Sequence, residues 1–357
     1  MRINQIGLVL ISLICLLIER VDSQPLLISK DSLDNLIKEK IPEFSGTLLI
    51  SIDSRIVYEN IFGYRDYQKK ISNKIETQFL LGSITKQFTA AAIMTLYEKG
   101  KISPQEYISR YLTDLPDKWK TITVHELLTH TSGLMHSWDL ENFETILNGS
   151  NQYSLPEILK LYYDKPMSNN KGVFHYSGLG YFILAAIIEK ITGQGFNTYL
   201  NDELFKRLQM TATVGYDYSK KYPDLAIGYN TVNDSLDSSI GSFLYGGGNV
   251  MSNSIDLYKW DNSFYDHKVL QPKTESMIFT PYVKVNETSF YGYGWYFIKR
   301  SNYSLIMHGG SVPAGFRAYI IRVPEKRLFI ALLSNRPDGK MRELSFEITD
   351  YLHKNIN

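Results

Sequence analysis

The sequence predicts a mixed α/β (α+β) fold in which N- and C-terminal segments build one antiparallel sheet, flanked by helices and carrying an all-helical insertion. Three observations predict it. Apolar, β-branched runs lie near residue 50 and return after residue 290. Between them, from about residue 102 to 229, short helical stretches are broken by Gly, Pro and Asn, and an amphipathic segment ends the chain. Strands at both ends with helices between are most simply joined as one sheet holding an insertion, and the cleft between two such halves is a natural site.

Taken in order, residues 47–52 and 55–58 read as two strands of a hairpin, with Asp53 and Ser54 at the turn. Residues 83–99 follow a helical pattern: Phe88, Ala91, Ala92, Met94 and Leu96 supply a broad apolar surface, and Gly100 serves as C-cap. Residues 181–191 are the most apolar helical stretch of the middle region. Strands are expected at 292–300, 303–308, 316–323 and 327–334, and a final amphipathic helix at 341–353.

Composition narrows the function classes. The chain has 357 residues, 44% of them hydrophobic, enough for a large core, and a formal net charge of +1. That balance, with no Lys/Arg run of five or more, sets nucleic-acid binding aside. Arg2, the apolar block at 6–18 and the small residue Ser23 before Gln24 read as an export signal over residues 1–23. The block is shorter than a membrane-spanning helix requires, so the expectation is a secreted or periplasmic protein, residues 24–357, with no membrane attachment after cleavage. Cys15, the single cysteine, falls inside that signal. No disulfide, thiol nucleophile or cysteine-bound metal is therefore expected. Sequons at Asn148, Asn233, Asn286 and Asn302 matter only in a eukaryotic secretory pathway.

The chemistry gathers at Gly82-Ser83-Ile84-Thr85-Lys86. A serine hydroxyl needs a base within hydrogen-bond reach, and a residue three positions along a helix shares its face. Free N–H groups at the helix N-terminus favour a developing oxyanion, and burial would turn the lysine into a neutral amine able to accept the proton. S-x-x-K also arises by chance, with the lysine a solvated surface group. Here Lys86 is the one charge between residues 77 and 97, where a structural lysine has little purpose.

Two further segments bear on this pair. Tyr176, between small residues and an apolar helix, is placed to project a phenol into a cleft, where a nearby ammonium would lower its pKa and make it a base or proton shuttle. The alternative is one structural tyrosine among 26. At His308-Gly309-Gly310-Ser311, side-chain-free glycines would let substrate lie along a strand edge, the following N–H would complete an oxyanion hole, and His308 would contact a carboxylate or carbonyl. The alternative is a turn after a strand.

With these residues in view, the chain resembles the serine β-lactamase and penicillin-binding-protein superfamily, in its class C-like branch with D-aminopeptidases and esterases. The resemblance runs in order through residues 79–86 (FLLGSITK), 124–134 (VHELLTHTSGL), 176–181 (YSGLGY), 246–252 (GGGNVMS) with Asp256, Leu257 and Trp260, and His308-Gly309-Gly310. It implies the β-lactamase/transpeptidase fold, Ser83 as acylated nucleophile, Lys86 as its partner and Tyr176 as general acid/base. It also implies an oxyanion hole from the N–H groups of Ser83 and Ser311, with His308 in the place of the lysine of the K-T-G motif.

Two departures stand out. Gly178 occupies the position where the family often has an asparagine that binds a substrate amide, and His308 replaces a permanent cation with a group that titrates near neutrality. Both weaken the case for an efficient β-lactamase and suit ester or small-peptide substrates. Arg317 could restore a positive charge, but reads more simply as a surface arginine. His125-Glu126 does not begin a zinc motif: Thr129 stands at the fifth position, and His130 falls about 140° around a helix from His125.

The expectation is thus a serine hydrolase of small-molecule or short-peptide amides or esters, using no metal and no cofactor. The alternatives are a carboxylesterase, a penicillin-binding protein that acylates without turnover, and a binder that has lost activity. Oligomeric state is not specified.

Overall fold

The computed structural model describes residues 29–143 and 153–356. The expected export signal and Asn148 lie outside these residues. Its centre is an eight-stranded antiparallel sheet. The strands are β1 (Gly46–Ile52), β2 (Arg55–Phe62), β3 (Val283–Lys284), β4 (Ser289–Tyr291), β5 (Tyr296–Lys299), β6 (Ser304–Val312), β7 (Phe316–Val323) and β8 (Leu328–Ser334). Their order across the sheet is β3-β4-β5-β6-β7-β8-β1-β2. β1 pairs with β8 from Gly46↔Ser334 to Ile52↔Leu328, so the first hairpin is stitched onto the last strand, and both termini share one sheet as expected.

Why β1 and β8 are apolar almost throughout follows from their position. Every residue of both is buried, because helices cover both faces of the sheet. Leu48, Ile50, Leu328 and Ile330 face α1 (Lys30–Lys40) and the C-terminal helix (Met341–Asn355), meeting Leu33, Ile37, Leu344 and Ile348. Leu49, Phe329, Ala331 and Leu333 join the opposite core with Phe88 and Trp260. Each fully buried leucine or phenylalanine stabilises by about 1.5–3 kcal/mol relative to exposure.

On that second face lies α2 (Thr85–Glu98), buried from Thr85 through Leu96. A helix apolar around its circumference belongs inside a protein, which explains its lack of a polar stripe. A single 3-10 turn, Gly82–Ile84, precedes it and carries Ser83. Packed against α2 is α3 (Gly178–Thr192), the apolar stretch expected at 181–191, and Tyr176 sits just ahead of its N-cap Ser177.

Four features differ from the sequence reading. The middle of the chain is not wholly helical: Val214–Gly215 pairs with Val250–Ser252, which also pairs with Phe79–Leu80. Strands of two or three residues are too short for an alternating pattern to register. Helices also continue past residue 229, at Ser254–Ser263 and Pro272–Ile278. The strand expected at 292–300 is instead a hairpin of β4 and β5, turned at residues 292–295, where Gly294 takes φ +80°. Finally, β6 does not stop at His308. It runs to Val312, with Gly309 and Gly310 opposite Tyr319 and Ala318.

Arg322 on β7 reaches Asp261 on the Ser254–Ser263 helix in a fully buried ion pair, and its guanidinium lies over Phe264 and Phe279 at 4.9 and 4.8 Å. Burial pushes the Asp261 carboxyl up, with Arg322 opposing that shift. Arg322→Met would strand a buried carboxylate. It is expected to lower stability at neutral pH by about 3–5 kcal/mol, read as a reduced urea midpoint, whereas Asp261→Leu/Arg322→Met recovers most of the loss.

Candidate active site

Ser83 sits at the start of α2 because Gly82 adopts φ +52° and lets the chain turn sharply against β6. The approach is close. A Cβ on Gly82 would lie 2.7 Å from the Ser311 nitrogen, and one on Gly310 would lie 1.8 Å from the Leu81 carbonyl oxygen. Even-numbered residues of β6 face the nucleophile helix, so Gly310 is the position where a side chain is excluded. These two glycines bring the backbone of Ser83 alongside that of Ser311.

Lys86, one turn into α2, is 2% exposed. Its Nζ lies 3.0 Å from Ser83 Oγ and donates to the Gly247 carbonyl oxygen at 2.7 Å. Burial lowers its pKa to about 7. The glycine triplet makes this possible: a Cβ on Gly246 would meet the Tyr181 carbonyl oxygen at 2.6 Å, and one on Gly247 would meet Phe182 at 2.9 Å. Only bare backbone fits between α2 and α3, and it supplies the carbonyl oxygen that fixes the amine.

Tyr176 joins the pair, with Lys86 Nζ 5.0 Å from its ring centroid. Its neighbours are tied down. The Ser177 N–H donates to His130 Nδ1 at 3.1 Å and the Ser177 hydroxyl to the Met135 carbonyl oxygen at 2.7 Å, while His130 packs on the Tyr176 ring at 4.3 Å. The expected lowering of the phenol pKa is reversed. Burial drives it well above 10, Tyr296 adds to this, and the Ser83 hydroxyl offsets part of it. A phenol so placed keeps its proton, which suits a donor more than a resting base.

His308 lies at the site but not in the expected state. It is 2% exposed, and its Nδ1 is 2.6 Å from the Gly309 carbonyl oxygen. A carbonyl only accepts, so Nδ1 carries the proton and Nε2 accepts from the Tyr291 hydroxyl at 3.1 Å. Burial first, then the nearby Lys86 charge, pulls its pKa to about 3. Titration near neutrality is therefore corrected to a neutral imidazole, with no cation there for a substrate carboxylate.

The space beside Gly178 is already taken. A Cβ there would lie 2.3 Å from Ser137 Oγ and 3.7 Å from His136 Cε1. His136 stacks on Tyr176 with centroids 5.4 Å apart, and its Nδ1 accepts from the Trp138 N–H at 3.1 Å. Burial and Lys86 lower its pKa to about 4, so the neutral ring carries its proton on Nε2. Nothing in the sequence marks His136 beyond its place two residues after the 124–134 signature. The Gly247 carbonyl, by contrast, lies within a motif already singled out.

Ser83, Tyr176, His308, Gly309, Gly310 and Ser311 all line one cleft of about 440 Å³. Arg317 lines it too, correcting the surface reading; its Nη1 donates to the Phe316 carbonyl oxygen at 2.8 Å. The two histidines of the discarded zinc motif diverge. His125 bonds Tyr293 at 2.8 Å, while His130 serves Ser177.

Gly178→Asn is expected to destabilise the fold by about 1–3 kcal/mol, as overpacking does, measured by urea unfolding. Adding Ser137→Gly should recover part of that loss.

Comparison with known proteins bears on the family and the fold. A family model described as Beta-lactamase matches residues 33–351. The putative penicillin-binding protein PbpX of Bacillus subtilis is 31% identical over 317 residues, covering 87% of this chain and 76% of that protein. The octameric penicillin-binding protein homologue from Pyrococcus abyssi superposes with a TM-score of 0.80 at 27% identity, over 92% of this chain and 78% of the other. The D-amino acid amidase of Ochrobactrum anthropi SV3 shares the fold with a TM-score of 0.75 at 23% identity, over 91% of this chain and 98% of the other. The chain belongs to the beta-lactamase family, and it is a serine hydrolase of that fold.

Proposed function

We propose that this chain is an exported hydrolase that cleaves an amide or ester bond through an acyl-enzyme on Ser83. The observation that carries the reading is the 3.0 Å separation of Ser83 Oγ from a fully desolvated amine whose pKa is about 7. Near neutrality about half of Lys86 is uncharged, with a lone pair for the serine proton and an N–H retained by Gly247.

In acylation, Ser83 Oγ attacks the carbonyl carbon while its proton passes to Lys86 Nζ. The oxyanion is held by the N–H groups of Ser83 and Ser311, which Gly82 and Gly310 bring together. As the bond to the leaving group breaks, Tyr176 donates its proton to that group and regains one from Lys86. Water then attacks the acyl-enzyme and yields a proton to the amine; as the acyl–Oγ bond breaks, Lys86 returns that proton to Ser83 Oγ, which releases the acid and free serine.

The neutral His308 and the filled space beside Gly178 favour esters over β-lactams, whose carboxylate and amide side chain ordinarily meet a cation and an asparagine in this family. The signal-like segment at residues 1–23 supports export. Amino-terminal sequencing of the secreted protein should begin at Gln24.

A fluorophosphonate is expected to add to Ser83, seen by peptide mass spectrometry. Ser83→Ala should abolish ester hydrolysis, and Lys86→Ala should slow acylation by about 10²–10⁴-fold; labelling elsewhere, or unchanged hydrolysis in Ser83→Ala, contradicts the assignment. Because the neutral amine is the active form, kcat/KM should rise with pH through about 7 and be lost as pH falls below it. His308, neutral throughout, adds no second limb between pH 5 and 8.

A further inference from the structure

To serve as a proton donor, Tyr176 must hold its hydroxyl in one place beside Ser83, yet residues 174–177 belong to no helix or strand. His130, on another segment, meets this stretch at three points. The His175 N–H donates to the His130 carbonyl oxygen at 2.8 Å, and the Ser177 N–H donates to His130 Nδ1 at 3.1 Å. The residues before and after Tyr176 are thus fastened to the same partner. Between them, the imidazole packs on the Tyr176 ring, with centroids 4.3 Å apart.

The backbone of His130 is a second, independent observation. His130 follows the short helix Val124–Leu128 with φ +59°, and the Thr131 N–H closes the turn on the Glu126 carbonyl oxygen at 2.9 Å. Such a left-handed position after a helix ordinarily falls to glycine, which adopts it without a Cβ penalty. A ring kept there against that strain points to a role outside the turn.

The polar atoms of the imidazole narrow that role. Burial first, then Lys86 and the neighbouring histidines, hold its pKa well below 6.5, so the ring is neutral. Nδ1 therefore accepts from Ser177 and the proton sits on Nε2, which is buried with no hydrogen-bond partner among the described residues. An apolar side chain would fill the same space without that orphaned N–H. What the imidazole adds is the Nδ1 acceptor.

We propose, resting on the acyl-enzyme reading above in which Tyr176 protonates the leaving group, that His130 is the positioning residue for that proton transfer. It does not line the cleft and acts through Tyr176, fixing the main chain on both sides of the tyrosine and the face of its ring. Substrates whose leaving group departs with a proton depend on this clamp, and those with a good leaving group do not.

The test uses the purified enzyme and two esters with the same acyl group. p-Nitrophenolate departs without a proton, whereas the alkoxide of benzyl acetate requires one. Tyr176→Phe sets the scale: kcat/KM for benzyl acetate should fall about 10²–10⁴-fold, and that for p-nitrophenyl acetate less than about tenfold. His130→Gly suits the left-handed backbone and removes the acceptor. It should lower the benzyl-to-nitrophenyl ratio by about tenfold or more, with fluorophosphonate labelling of Ser83 within about threefold of the native rate. His130→Asn tolerates that backbone, offers Oδ1 to the Ser177 N–H, and should restore most of the ratio. Should His130→Gly not fold, His130→Ala is read in the same way. An unchanged ratio in His130→Gly, whether from equal losses on both esters or from none, overturns the inference, as does a His130→Asn enzyme no better than His130→Gly. In either case a selective loss in Tyr176→Phe keeps the underlying reading. Equal losses on both esters in Tyr176→Phe overturn the reading itself.

Discussion

The amine of Lys86 is held out of water at the junction of α2, α3 and the Gly246–Gly248 turn, and much of the molecule serves to keep it there. Its stem lies along a helix buried on all sides, and its head touches one hydroxyl and one carbonyl oxygen. Burial is the sole cause resolved for its lowered pKa. Moving a lysine pKa from 10.5 to about 7 disfavours the charged form by roughly 1.4 kcal/mol per unit, so the tight packing around it does chemical as well as structural work.

The same desolvation shapes every other titratable group nearby. Burial of Tyr176 keeps its proton on, and burial of His308 and His136 keeps their rings neutral. The Lys86 charge adds to the last two effects, so a proton on the amine disfavours protons on both imidazoles. Among the described residues of the site, Lys86 is thus the base, flanked by the neutral rings of His308 and His136, whose proton positions are fixed by backbone partners. Glycine makes the arrangement possible: Gly82 and Gly310 let strand and helix meet, and Gly247 supplies a carbonyl where a side chain would collide with Phe182.

Much of this was legible in the sequence because it depends on local pattern. The uncharged run around Lys86 predicts a buried helix, and hydrophobic runs at both ends predict strands that share one sheet. The glycines at 82, 246–248 and 309–310 stand in recognisable motifs. What escaped the sequence depends on contacts across the fold. His308 reads as a titrating residue until Tyr291 and the Gly309 carbonyl are seen to satisfy both nitrogens. Tyr176 reads as a phenol acidified by its neighbour until its burial is seen to hold the proton on. His136 and Ser137 enter the site because Gly178 leaves room, and their distance along the chain from that glycine gives no sign of it. The short strands at 79–80, 214–215 and 250–252 escaped for a simpler reason, being too brief to show a period.

Desolvation makes Lys86 a neutral base near physiological pH. The most direct test is an NMR titration of the folded protein carrying ¹³C-labelled lysine, with Lys86 assigned through Lys86→Met. One lysine ε-carbon is expected to titrate at about 7 and to be absent from the variant. A Lys86 resonance that titrates with the surface lysines would contradict it.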